Sequence, residues 1–70
     1  MTPLSPCLTH REEQVLLLIG DGRGLREIAT SLGVSWRVAR RDRDRARVKL
    51  EAATTTHAVA IVVRLRQSAR

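Results

Sequence analysis

The sequence predicts an all-α fold, a four-helix bundle, and three observations carry that reading. Apolar residues recur at three- and four-residue spacing in successive stretches, and no alternating stretch is long enough to mark a strand. Hydroxyl residues stand where three of those stretches begin, and glycines stand where two of them end. The chain has 70 residues, 43% hydrophobic and 29% charged, which suits one globular domain and is too short for a Rossmann unit, a barrel or a sandwich.

Residues 1–8 contain both prolines and little periodicity, and are read as a lead-in arm. Thr9-His10-Arg11-Glu12 matches a capping box, in which the Thr9 hydroxyl accepts from the Glu12 amide and the Glu12 carboxylate reaches back to the Thr9 amide. The first helix then runs from about His10 to Ile19, with Val15, Leu16, Leu18 and Ile19 as its apolar stripe. Gly20-Asp21-Gly22-Arg23-Gly24 ends it. A second helix spans about Leu25 to Leu32, with Leu25, Ile28, Ala29 and Leu32 facing inward and Gly33 as a left-handed cap. Ser35 is the N-cap of a third helix, about Trp36 to Leu50. After a break at Glu51 to Thr54, a fourth helix runs from near Thr55 to about Gln67, capped by Thr54 or Thr55. The domain is placed at 9–67 and a tail at 68–70.

Charge narrows the function. The net charge is +6, which favours a polyanionic partner. Between Arg37 and Lys49 there are seven Lys and Arg against two Asp. At 100° per residue, Ala39, Asp42, Arg43, Ala46 and Leu50 share one side of the third helix. Arg37, Arg40, Arg41, Asp44, Arg45 and Val48 share the other. A thin apolar side opposite four arginines suits a charged groove better than a buried bundle position. A single aromatic residue, Trp36, argues against stacking platforms for single strands or RNA. Cys7 has no second cysteine to pair with and is read as a free thiol. His10 and His57 lack a third ligand, so no metal and no cofactor are expected. No nucleophile–base pair or phosphate loop is present, so the protein is not read as an enzyme. The start carries no signal-peptide pattern, and the longest apolar run, Ala58 to Val63, is too short to span a bilayer. A soluble, cytoplasmic protein is expected.

Ala29, Gly33 and Ala39 have the spacing of two helices that cross closely through a short turn. That is helix-turn-helix spacing, in which the second helix enters the DNA major groove. Leu8-Thr9-His10-Arg11-Glu12, Val15-Leu16, Gly22, Glu27-Ile28-Ala29, Leu32-Gly33-Val34-Ser35 and Lys49-Leu50 occur in order and without a gap. Together they resemble the DNA-binding domain of LuxR/FixJ-type (GerE-like) bacterial transcriptional regulators, in its stand-alone form. The resemblance covers about residues 8–65. It implies four helices, a third that reads the major groove and a fourth that pairs two copies. It departs at four places. Val38-Ala39 replaces the usual Thr-Val, Asp42 the usual His, Trp36 an acidic residue, and Glu51-Ala52 the usual Gly-Val.

The candidate DNA-binding residues are Ser35, Trp36, Arg37, Arg40, Arg41, Asp44 and Arg45. By position in the resembled family, Arg40, Arg41 and Asp44 face base edges, and Arg37 and Arg45 hold phosphates. Asp44 is read first as an i,i+4 partner of Arg40 and second as an acceptor from cytosine. Asp42, an inward carboxylate, needs a basic partner such as Arg11, Arg45 or Arg26. Trp36 either packs over the turn or leans on a sugar or a thymine methyl. Helix four is apolar almost all round, so a second copy is expected to cover part of it, through Val59, Val62 and Val63, with Val62 as the outward choice. Arg64, Arg66 and Arg70 are read as a solubilising tail. The expected function is sequence-specific binding of double-stranded DNA by a homodimer that regulates transcription, at the bacterial nucleoid or, if phage-encoded, in the host cytoplasm. The alternative is an interaction module that binds RNA polymerase, a sigma factor or another regulator.

Overall fold

Four helices follow one another in the computed structural model: α1 His10–Gly20, α2 Leu25–Leu32, α3 Trp36–Lys49 and α4 Thr55–Ser68. The structure describes residues 8–68, and no strand occurs among them. The expected arm before Leu8 with its Cys7 thiol, and the tail from residue 69 with Arg70, lie outside the described residues. Helix α1 is the central element. It packs against α3 and α4 and more lightly against α2, while α2 rests on α3 and does not pack against α4. The Cα radius of gyration, 11.2 Å, is that of a compact chain of this length, for which about 11 Å is usual.

Local signals explain where the helices begin. The Thr9 hydroxyl accepts from the Glu12 amide at 3.1 Å, and Glu12 Oε1 accepts from the Thr9 amide at 2.9 Å, so the capping box is complete. Ser35 Oγ accepts from the Val38 amide at 3.2 Å. Of the two threonines available to α4, Thr54 supplies the cap, accepting from the His57 amide at 3.0 Å. The His57 Nδ1 accepts in turn from the Ala53 amide at 3.4 Å.

Helix α1 extends one residue beyond Ile19, and Gly20 belongs to it. A Cβ at Gly20 would meet Val59 Cγ1 at 3.0 Å, so the absent side chain lets α1 and α4 approach closely. Past its end the chain turns at Gly22, which has φ 87°. Leu8, expected in the arm, is 9% exposed and belongs to the core. With it cluster Leu16, Ala46, Ala52, Ala58 and Val62, flanked by Leu17, Ile19, Leu50, Val59 and Ile61. Val15, Ile28, Ala29 and Ala39 are buried too.

Val62 is therefore not the outward residue of α4: it is 1% exposed. It lies one helical turn after Ala58, which is fully buried, so both face the core. The valine that α4 leaves outside is Val63, and Val59 is half-buried against the core.

The end of α3 differs from the ends of α1 and α2. After α2, Gly33 takes φ 69°, its amide donates to the Thr30 carbonyl, and the Val34 amide donates to the Ala29 carbonyl. This is the Schellman arrangement, and glycine adopts it without a Cβ penalty. After α3 the same two bonds form, Glu51 to Val48 and Ala52 to Arg47, both at 3.0 Å. The residue at the left-handed position is Glu51, with φ 54°. A left-handed residue other than glycine costs about 1–2 kcal/mol, part of which glycine returns through the freedom of the unfolded chain. Glu51 is exposed, so little packing is lost with its side chain. Glu51→Gly is expected to raise the melting temperature by about 2–8 °C, from a net gain of about 0.5–1 kcal/mol. A thermal melt followed by circular dichroism checks this, and an unchanged or lower midpoint contradicts it.

Candidate nucleic-acid interface

Two buried carboxylates set how α3 lies on α1. Glu12 of α1 and Asp42 of α3 are each 2% exposed. Arg11 donates through Nε and Nη2 to the two Asp42 oxygens, and Lys49 Nζ donates to Glu12 Oε1 at 2.7 Å. Arg11 is thus the partner that Asp42 takes, not Arg45 or Arg26. Burial pushes the Glu12 carboxyl up, but the Lys49 ammonium and the Thr9 amide outweigh it and hold the group below its usual range. With Ala39, Asp42 and Ala46 turned inward against α1 and α2, the opposite side of α3 must face solvent.

On that side Trp36, Arg37, Arg40, Arg41, Asp44 and Arg45 line one shallow concave surface. Six of the seven candidate residues are therefore brought together. The seventh, Ser35, spends its hydroxyl on the cap of α3 and contributes to the site by starting that helix. The seven cations between Arg37 and Lys49 divide by function. Arg43 pairs with Asp44 at 3.1 Å, Arg47 Nη1 donates to the Ala52 carbonyl at 3.2 Å, and Lys49 holds Glu12. Arg37, Arg40, Arg41 and Arg45 are exposed and form no ion pair among the described residues. Four guanidiniums on this side are thus left in solvent without carboxylate partners among the described residues.

Asp44 takes Arg43, its chain neighbour, rather than Arg40. Arg40 instead lies over the Trp36 ring, 5.6 Å from its centroid. Arg26 of α2, one of the three partners the sequence offers for Asp42, lies over the same ring at 5.5 Å, although it does not line the concave surface itself. Trp36 itself is 37% exposed. Val48, at 63%, is the most exposed of the large apolar residues among those described and continues the same side of α3.

Arg64 and Arg66 are exposed on α4, and Arg66 reaches Glu13 of α1 at 3.4 Å. No helix of the described residues is long and apolar enough to cross a membrane. No family model, no curated protein and no solved structure matches the chain.

Proposed function

We propose that the protein binds double-stranded DNA and regulates transcription in the cytoplasm, with α2 and α3 acting as a helix-turn-helix and α3 lying in the major groove. One observation carries the reading: Arg37, Arg40, Arg41 and Arg45 share a single concave face and have no ion-pair partner among the described residues. Unpaired guanidiniums on one helix suit both phosphate oxygens and the O6 and N7 acceptors of guanine. The resemblance of residues 8–65 to LuxR/FixJ-type domains supports the same assignment. In it Arg40 and Arg41 read base edges, and Arg37 and Arg45 hold phosphates. The homodimer of this proposal would form through α4, where Val63 and Ala60 are the apolar side chains left exposed.

A second reading has its own support. An exposed tryptophan among arginines is also the composition of protein-interface hot spots. On that reading the groove takes an acidic protein surface, on RNA polymerase, a sigma factor or another regulator. A titration of fluorescently labelled mixed-sequence duplex separates the two. DNA binding predicts tight association at low salt and a slope of log K against log salt near −0.9 for each neutralised phosphate, with about four to six phosphates per protomer. A binding constant that stays flat up to physiological salt, or no binding at low salt, removes the DNA reading.

A further inference from the structure

Trp36 is the only aromatic residue in the chain, and two cations from two helices share its ring. Arg26 comes from α2 and Arg40 from α3, and their guanidiniums lie 5.5 and 5.6 Å from the ring centroid. With 37% of its surface exposed, Trp36 is too open to serve only as core packing. We propose that Trp36 is a positioning residue of the groove, whose ring holds Arg40 ready for a base edge and brings Arg26 of α2 beside it for a flanking phosphate. The proposal rests on the DNA-binding reading above and adds a residue, Arg26, to its contact surface.

The physical reason is preorganisation. The indole face carries the negative lobe of the ring quadrupole and is the strongest natural platform for a guanidinium. A long exposed arginine otherwise samples many rotamers, and binding must freeze them. An arginine already lying on a ring has fewer to lose. The ring thereby serves as a common platform for guanidiniums from two helices. Both cations then face the same ligand, and a phosphate backbone is a ligand that rewards two neighbouring positive charges.

The role is separable from simple packing and from direct contact between the ring and DNA. The probes are the duplex that the wild-type protein selects from a random pool, and random duplex. Trp36→Ala is expected to weaken binding to the selected duplex about two- to five-fold, the range an exposed cation–π contact supports, and to lower the salt slope by no more than the roughly 0.9 that the Arg26 phosphate contact contributes. Trp36→Phe, which keeps a ring face, is expected to recover most of that loss. In the Trp36→Ala background, Arg40→Ala is expected to cost less than it does in the wild type, since the ring no longer positions it. Arg26→Ala is expected to lower the salt slope by about 0.9, the signature of one phosphate contact. In the free protein, acrylamide quenching of Trp36 fluorescence is expected to rise when Arg26 and Arg40 are both alanine, and circular dichroism verifies that each variant is helical. Additive losses for Trp36 and Arg40, no recovery by phenylalanine, or an unchanged slope for Arg26→Ala would overturn the proposal. A wild-type protein that selects and binds no duplex overturns the DNA reading itself, which separates that failure from a failure of the tryptophan.

Discussion

Val62→Glu is expected to unfold the protein, while Val63→Glu, one residue further on, is expected to leave it folded. Val62 is 1% exposed and clusters with Leu16, Ala46 and Ala58. A carboxylate placed there would lose its water among the apolar side chains that cluster with Val62. Burying an unpaired charge costs several kcal/mol at least, even when the group escapes by taking up a proton. The extra bulk adds overpacking of about 1–3 kcal/mol. A domain of this size has a total stability of only about 3.5–10 kcal/mol, so the sum removes most or all of it. Val63 is 37% exposed, and a glutamate there remains in water. Thermal melts by circular dichroism distinguish the two variants. A cooperative melt of Val62→Glu near the wild-type temperature would show that α4 is seated differently. On the homodimer reading, Val63→Glu additionally lowers the sedimentation coefficient at high protein concentration and weakens DNA binding, because two linked contacts become one.

The second large effect falls on the ligand rather than on the fold. Arg40→Ala and Arg41→Ala are each expected to weaken binding to a selected duplex by about 1–3 kcal/mol, about five- to 150-fold, while random duplex is affected much less. Arg45→Ala is expected to weaken both duplexes alike and to reduce the salt slope by about one. The contrast follows from the ligand atoms involved: a bidentate guanidinium distinguishes guanine from other bases, and a phosphate contact distinguishes nothing. All three side chains are exposed and carry no ion pair among the described residues, so their removal should change stability by no more than about 0.5 kcal/mol for Arg41 and Arg45, and about 1 kcal/mol for Arg40, which also leaves the Trp36 ring. Equal losses on selected and random DNA for all three variants would remove the base-reading assignment of Arg40 and Arg41.

The features legible in the sequence are those decided within a few residues. Thr9 with Glu12, Ser35 before α3 and Gly33 after α2 act through hydrogen bonds to atoms three to five positions away. Their geometry depends on backbone conformation alone, which is why the bounds of α2 and the start of α3 can be read directly. The cationic side of α3 is equally local, because helical periodicity assigns Arg37, Arg40, Arg41 and Arg45 to one face whatever lies behind it. Glu51 shows the limit of such reading. The Schellman bonds after α3 impose a left-handed residue there, and the chain meets that requirement with glutamate, which no local signal marks for it.

Four helices, the caps at Thr9, Gly33 and Ser35 and the arginine face of α3 were thus determined by the sequence itself, since each depends on neighbours along the chain. Only the tertiary structure decided which valine of α4 turns inward, that Arg11 rather than Arg26 meets Asp42, and that Arg26 joins Arg40 over Trp36. Lys49 and Glu12 are 37 residues apart, and no local signal links them. Helix α4 is apolar on nearly every side, so its periodicity leaves several rolls about its axis open. The close approach of α1 at Gly20 seats Val59 against the core and selects one of them. Contacts of that kind are set by shape and by the desolvation of paired charges across helices, and both come into being only when the helices pack.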